Sequence, residues 1–273
     1  MAITAKDVMS LRQRTGMGMM ECKKALGEAG GDFDAAVEIL RAAAKGKMDE
    51  RTDRAAAEGT LAVAKSDSAV AMIEINTETD FTARNDSVIE IADKIADQAI
   101  EAGEGEVAAN DQITALIDEV RLTTKENISY ARGVKFSAAA GGKVGSYLHH
   151  NRQIGALLVV EGDLDDETLT GLAQHVTAAD GMTMPVPLAV DEASLSADAI
   201  AEKKAEFVKE AEESGKPAEI AEKMSTGKLR KWVDENTLLG QAYVKDMTGK
   251  TKVGDLLGGA KVVKFIRYQV GVK

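Results

Sequence analysis

Several things are scarce in this chain of 273 residues, and each scarcity excludes something. There is one cysteine, Cys22, so neither an intramolecular disulfide nor a thiolate cluster for zinc can form, and a reducing cytoplasmic setting is the natural expectation. Aromatic residues make up only 4%, so the cores must be aliphatic. Basic residues are outnumbered, 34 Lys and Arg against 45 Asp and Glu, for a net charge of -11. A chain that coats nucleic acid needs cationic clusters, and one that stacks bases needs an aromatic platform; the balance opposes both. No apolar run approaches the ~20 residues of a membrane span. The start, "MAITAKDVMSLRQRTG", lacks the cationic head and apolar core of a secretory signal.

Reactive groups are equally sparse. The histidines are His149, His150 and His175. Adjacent His149 and His150 in a strand would point to opposite faces and make poor joint metal ligands. His175 lies among apolar helix positions and reads as a satisfied core residue. Cys22 has Lys23 and Lys24 beside it, but Met19, Met20 and Ala25 around it point to a packed, inert thiol. "GGKVGS" lacks P-loop spacing, and a strand, not a helix, follows Lys143. No dinucleotide fingerprint or calcium loop is present. The expectation is therefore no enzyme, no cofactor and no metal, but a protein of binding surfaces.

What is present is orderly. About the first 50 residues read as three short helices. Thr4 with Asp7 forms a capping-box pattern, Gly16 and Gly18 break the first helix, Gly30 and Gly31 close the second, and Asp32 caps the third. "KGKMDERTDR" then reads as a linker or an exposed helix tail. From Gly59 the period changes to that of strands. "TLAVAK" and "AVAMIEIN" make a hairpin, followed by a helix with Val88, Ile91, Ile95 and Ala99 on one face. A second helix carries Ile113, Leu116, Ile117 and Val120. A strand alternates through Tyr130, Val134 and Phe136. The same order recurs: a hairpin of "KVGSYLHH" and "IGALLVVEGD", a helix with Leu169, Leu172, Ala173 and Val176, and a last strand, "KVVKFIRYQVGV". That pattern predicts an internal duplication. An irregular stretch with two of the three prolines and two charged helical runs around Gly215 and Pro217 interrupt the second copy, which predicts a projecting helical hairpin. The hairpin is either a solvated arm or an interaction element.

One short stretch resists the orderly reading. In "INTETDFTARND", Phe81 sits in a polar loop between strand and helix. It is one of only five phenylalanines, and in such a loop it either folds back as a lid on the core or faces outward to meet a partner.

Two stretches carry a resemblance. "LRQRTGMGMMECKKAL", Leu11 to Leu26, resembles the N-terminal signature of bacterial elongation factor Ts, L-R-x-x-T-G-x-G-x-x-x-x-K-x-A-L. "EINTETDFTAR", Glu74 to Arg84, resembles its second signature, in which a strand end leads into T-D-F. "GSYLHH" and "SGKPAEIAEKM" also look like family segments. Thr77 and Thr82 depart from the more usual residues, and the sequence ends on "YQVGVK", where many members continue into a helical module. The resemblance implies an α+β fold. Its parts are a three-helix bundle like a ubiquitin-associated domain (1–54), a core of two subdomains (55–140; 141–180 with 232–273), and an inserted arm resembling a coiled coil (181–231).

It also implies a guanine-nucleotide exchange factor for elongation factor Tu. The exchange loop would be Thr79, Asp80 and Phe81, with Phe81 entering an apolar pocket beside the magnesium site of the GTPase. Arg12, Met19, Met20 and Lys23 would belong to a contact face of the bundle, although Met19 and Met20 can equally be bundle core. His149 would reach the partner from the second hairpin, or else be an ordinary surface histidine. The arm would serve dimerisation or partner contact. A non-catalytic adaptor built on the bundle is the other reading, but it leaves Glu74–Arg84 unexplained.

Overall fold

The structure is a computed structural model that describes residues 3–49 and 54–272. It divides into two compact units. The first takes in the described residues up to Ala64, then Ala71–Lys135 and the chain from Gln269 onward; the second holds Lys65–Val70 and Phe136–Tyr268.

The first unit begins with helices α1 (Ala5–Thr15), α2 (Met19–Glu28) and α3 (Phe33–Asp49). Their boundaries follow local chemistry. Thr4 Oγ1 accepts the Asp7 N–H at 3.2 Å, and Asp7 accepts the Thr4 hydroxyl at 2.7 Å and the Thr4 N–H at 2.9 Å; the hydroxyl bond first, then the backbone bond, hold the Asp7 carboxyl below its usual pKa and close the capping box. Gly16 ends α1 in the left-handed region at φ 66°. Asp32 Oδ1 accepts the N–H groups of Asp34 and Ala35 at 2.9 and 3.0 Å and starts α3. Leu11, Cys22, Leu26, Ala36 and Leu40 fill the small core between the helices. Leu122, from a later helix, packs against that same cluster. The bundle therefore borrows apolar cover from beyond its own sequence, which the charged "KGKMDERTDR" did not foretell. The helix-tail reading of that stretch holds through Asp49; residues 50–53 of it lie outside the described residues.

Strands β1 (Glu58–Lys65), β2 (Ala69–Thr77), β3 (Gly105–Glu106) and β4 (Ser129–Ser137) form a sheet in the order β1-β2-β4-β3. A four-residue helix, α4 (Asp80–Ala83), precedes α5 (Asp86–Ala99) and α6 (Asp111–Thr124). Asn85 and Asn110 cap α5 and α6 through their side-chain oxygens. The expected apolar face of α5 is the observed one: Val88, Ile91, Ile95 and Ala99 are buried against Ile73, Ile75, Ile113 and Ile117. At ~1.5–3 kcal/mol for each fully buried aliphatic side chain, this layer is what holds α5 and α6 on the sheet.

One buried charge organises the chain end in this unit. Glu74, 3% exposed at its side chain, accepts from Arg132 Nε at 2.7 Å and from the Gly271 N–H at 2.9 Å. Arg132 Nη2 in turn donates to the carbonyls of Gln269 and Val272. Gly271 has φ 72°, and a Cβ there would lie 2.6 Å from the Ala57 carbonyl oxygen, so the turn accepts only glycine without strain.

The second unit has strands β5 (Gly142–Leu148), β6 (Ile154–Glu161) and β7 (Lys261–Gln269) in the order β5-β6-β7. The β5–β6 hairpin is antiparallel, pairing Gly142 with Glu161 through Leu148 with Gly155. Helix α7 (Asp166–Ala178) covers it, burying Leu169, Leu172, Ala173 and Val176 as the periodicity predicts. In each unit a strand that follows the helices joins the hairpin's second strand, so the repeated order in the sequence is a repeated topology. Helices α8 (Ala197–Glu213) and α9 (Ala218–Asn236) pack on each other through Ala211, Ala221 and Ser225, with Gly215 at φ 67° in the turn between them. Helix α9 runs past residue 231, and Leu195, Val233, Ile200, Leu229 and Trp232 form a separate cluster where the two helices are rooted. Ile200 is thus part of the root. Among the described residues no helix is long and apolar enough to cross a membrane.

Candidate functional site

The stretch that resisted the sequence reading carries the most exposed large apolar side chain among the described residues of its unit. Strand β2 ends at buried Thr77, whose hydroxyl donates to the Thr79 carbonyl at 2.8 Å. Thr79 then caps α4, its Oγ1 accepting the Thr82 N–H at 3.3 Å. Ala83, 3% exposed, plugs the turn into the body, and Arg84 reaches back to Asp80 at 3.2 Å. Phe81 points outward and is 84% exposed. The expected loop is therefore one helical turn, closed by the Ala83 N–H on the Thr79 carbonyl and the Arg84 N–H on the Asp80 carbonyl. A single turn has no periodicity to read, because four residues do not span the i, i+3, i+4, i+7 spacing of an amphipathic helix.

So short a helix does not hold itself together; nucleation is unfavourable by a factor of ~10⁻³. Outside partners hold it. Glu126, just beyond the end of α6, accepts the Thr79 hydroxyl at 2.7 Å and the Thr79 N–H at 3.2 Å. Glu78 accepts the Asn127 N–H at 2.6 Å and pairs with Arg54 at 3.3 Å. Sequence reasoning missed Glu126, Asn127, Glu78 and Arg54. Glu126 is separated from Thr79 by 47 positions, and only the fold makes them neighbours.

The other sequence-chosen residues fall into separate places. Met19 and Met20 are 53% and 76% exposed, so the core alternative for them is overturned: Cys22, Ala25 and Leu26 take the inward face of α2. Lys23 shares their outward side, and Arg12 is exposed on the last turn of α1. Met9, 63% exposed on α1, is a further outward methionine that the sequence reading did not single out. His149 lies in the second unit, in the turn after β5, where Nδ1 faces Asn151 Oδ1 at 2.8 Å. The expectation that His149 and His150 point to opposite faces fails: β5 stops at Leu148, and the two rings lie 4.1 Å apart in the turn. His149, Tyr147, Gln174 and Arg267 line a cavity of about 400 Å³.

Cys22 is fully buried, as expected of a packed thiol. His175 is also fully buried and fully engaged. The Val244 N–H donates to Nδ1 at 3.1 Å, which leaves the proton on Nε2 to donate to Gln241 Oε1 at 3.0 Å. Burial lowers its pKa, only partly opposed by the Gln241 bond.

Comparison with known proteins bears on the same stretch. The family described as Elongation factor TS matches residues 78–272, a span that starts one residue before the Thr79–Ala83 turn and includes parts of both units. A protein of Thioalkalivibrio sulfidiphilus is 42% identical over 282 residues, covering 99% of this chain and 93% of its own length. One of Alkalilimnicola ehrlichii is 41% identical with the same coverage, and one of Photobacterium profundum is 40% identical over 98% of this chain and 92% of its own. All three are named elongation factor Ts.

Proposed function

The chain belongs to the elongation factor Ts family, and on that premise we propose that it is a guanine-nucleotide exchange factor for elongation factor Tu. The observation that carries the reading is Phe81, held 84% exposed on a pinned helical turn. The ring enters an apolar pocket of the GTPase beside its magnesium site, Asp80 disturbs the groups around the ion, and Thr79 sets the turn. Exchange then follows from linkage: a factor that binds the nucleotide-free GTPase more tightly than the GDP form must weaken GDP binding by the same factor.

The ubiquitin-associated-like bundle adds a second contact through Arg12, Met19, Met20 and Lys23, which are all exposed. Methionine suits such a surface because its unbranched side chain adapts to the partner. His149 adds a third contact from the second unit. The α8–α9 arm is separable from exchange and serves self-association; Val208 and Ile220 are large apolar side chains exposed on it, 36% and 47% exposed. The protein acts in the cytoplasm, with no covalent chemistry of its own.

The test is release of a fluorescent GDP analogue from elongation factor Tu of the same organism. Catalytic amounts of the chain are expected to accelerate release many-fold. Tight binding without acceleration would instead favour the adaptor reading.

A further inference from the structure

The turn that presents Phe81 is tied down by a second segment, residues 125–128. The ties cross reciprocally. Glu126 takes the backbone N–H and the hydroxyl of Thr79, at 3.2 and 2.7 Å, while Glu78 takes the backbone N–H of Asn127 at 2.6 Å. Each carboxylate thus accepts from the residue next to the other. The Asn127 side chain extends the clasp: its Nδ2 donates to the Arg54 carbonyl at 2.8 Å, and its Oδ1 accepts from Arg121 at 3.4 Å. Arg121 Nε donates to the Ile128 carbonyl and keeps the segment against the end of α6. Directly before Glu126, Lys125 sits at φ 62°, a left-handed conformation that costs a lysine about 1–2 kcal/mol. That reversal, at the end of α6, is what turns Glu126 toward Thr79.

Resting on the reading of this turn as the exchange element, we propose that Glu126 is a positioning residue for nucleotide exchange, which sets Phe81 in its outward pose before the partner arrives. Helix α4 has four residues and cannot order itself, and the N-cap is the residue on which its direction depends. A carboxylate that accepts both donors of that cap fixes its backbone and its rotamer together. Without it, Phe81 is in the competent pose for only a fraction of the time. The apparent affinity for the partner falls by that fraction, while the bound complex, once formed, retains the same turn.

This predicts a particular split. Glu126→Ala raises the half-saturating concentration of the factor in GDP release about tenfold, the scale of one lost charge-assisted bond, and leaves the plateau rate near the parental one. Glu126→Gln keeps one accepting oxygen and falls between the two. In a Phe81→Ala background, Glu126→Ala adds nothing, because there is no ring left to position. The measurements are GDP-release rate against factor concentration for the parent, the three single variants and the double variant, with circular dichroism and melting to establish folding. Unchanged half-saturation in folded Glu126→Ala, or an equally large loss in the Phe81→Ala background, overturns the positioning role. A parental response from Phe81→Ala overturns the underlying reading of the turn, and the proposal with it. If Glu126→Ala does not fold, the same comparisons are made with Glu126→Gln, whose additive or absent effect is equally decisive against the proposal.

Discussion

Replacing Phe81 by alanine separates the two things a phenylalanine can do, fill a core or fill a partner. The ring is 84% exposed, so only about a sixth of it is buried in the free protein. At ~1.5–3 kcal/mol for a fully buried side chain, its removal costs the fold less than ~0.5 kcal/mol. Alanine is also the better helix former by up to about 0.5 kcal/mol, so the net change in stability is close to zero. On the partner the balance reverses. Burying the remaining five sixths is worth about 1.3–2.5 kcal/mol, a loss of roughly ten- to seventyfold in second-order GDP-release efficiency when the ring is gone. Phe81→Leu, which keeps most of the apolar area, falls between. The assay is stopped-flow release of fluorescent GDP from elongation factor Tu at several factor concentrations, beside urea unfolding of each variant. A variant that loses more than about 2 kcal/mol of stability, or that exchanges nucleotide like the parent, refutes the argument from exposure.

Gly271→Ala places a side chain at φ 72° and 2.6 Å from the Ala57 carbonyl oxygen, so urea unfolding is expected to show a loss of about 1–3 kcal/mol; an unchanged midpoint would mean the Glu74–Arg132 clasp tolerates a displaced chain end. The buried His175 has its pKa lowered from the usual 6.5, so the unfolded chain takes up that proton first as pH falls. Its contribution to stability is therefore complete above about pH 6.5 and is lost below it, at up to about 1.4 kcal/mol per pH unit. The parent's melting temperature is expected to fall more steeply between pH 6.5 and 5 than that of His175→Gln, and parallel curves would contradict this. Replacing residues 203–226 by a short Gly/Ser linker leaves the root cluster of Leu195, Ile200, Leu229, Trp232 and Val233 in place. GDP release should persist while sedimentation reports any loss of self-association, and loss of exchange in a folded monomer would place the arm on the GTPase.

The features legible in the order of residues are those whose causes are local. The Thr4–Asp7 capping box, the stop at Gly16, the Asp32 cap, the buried stripe of α5 and the break at Gly215 and Pro217 are each set by residues within a turn or two of one another. The repeated hairpin and the misfit of Phe81 were legible for the same reason: period and composition change within a few positions. Pairings between residues far apart along the chain emerge only in the folded protein. Folding brought Glu126 to Thr79, Arg132 to Glu74, Gln241 to His175 and Leu122 to the bundle core. It also settled which way the ambiguous residues face, turning Met19 and Met20 outward and the His149 and His150 rings toward each other. Polar residues such as Glu126 and Asn127 carry no periodic signal. Their partners are selected by where the backbone returns after a whole helix, and that return is set by burial of the Ile73, Ile95 and Ile117 layer, to which no polar residue contributes a pattern.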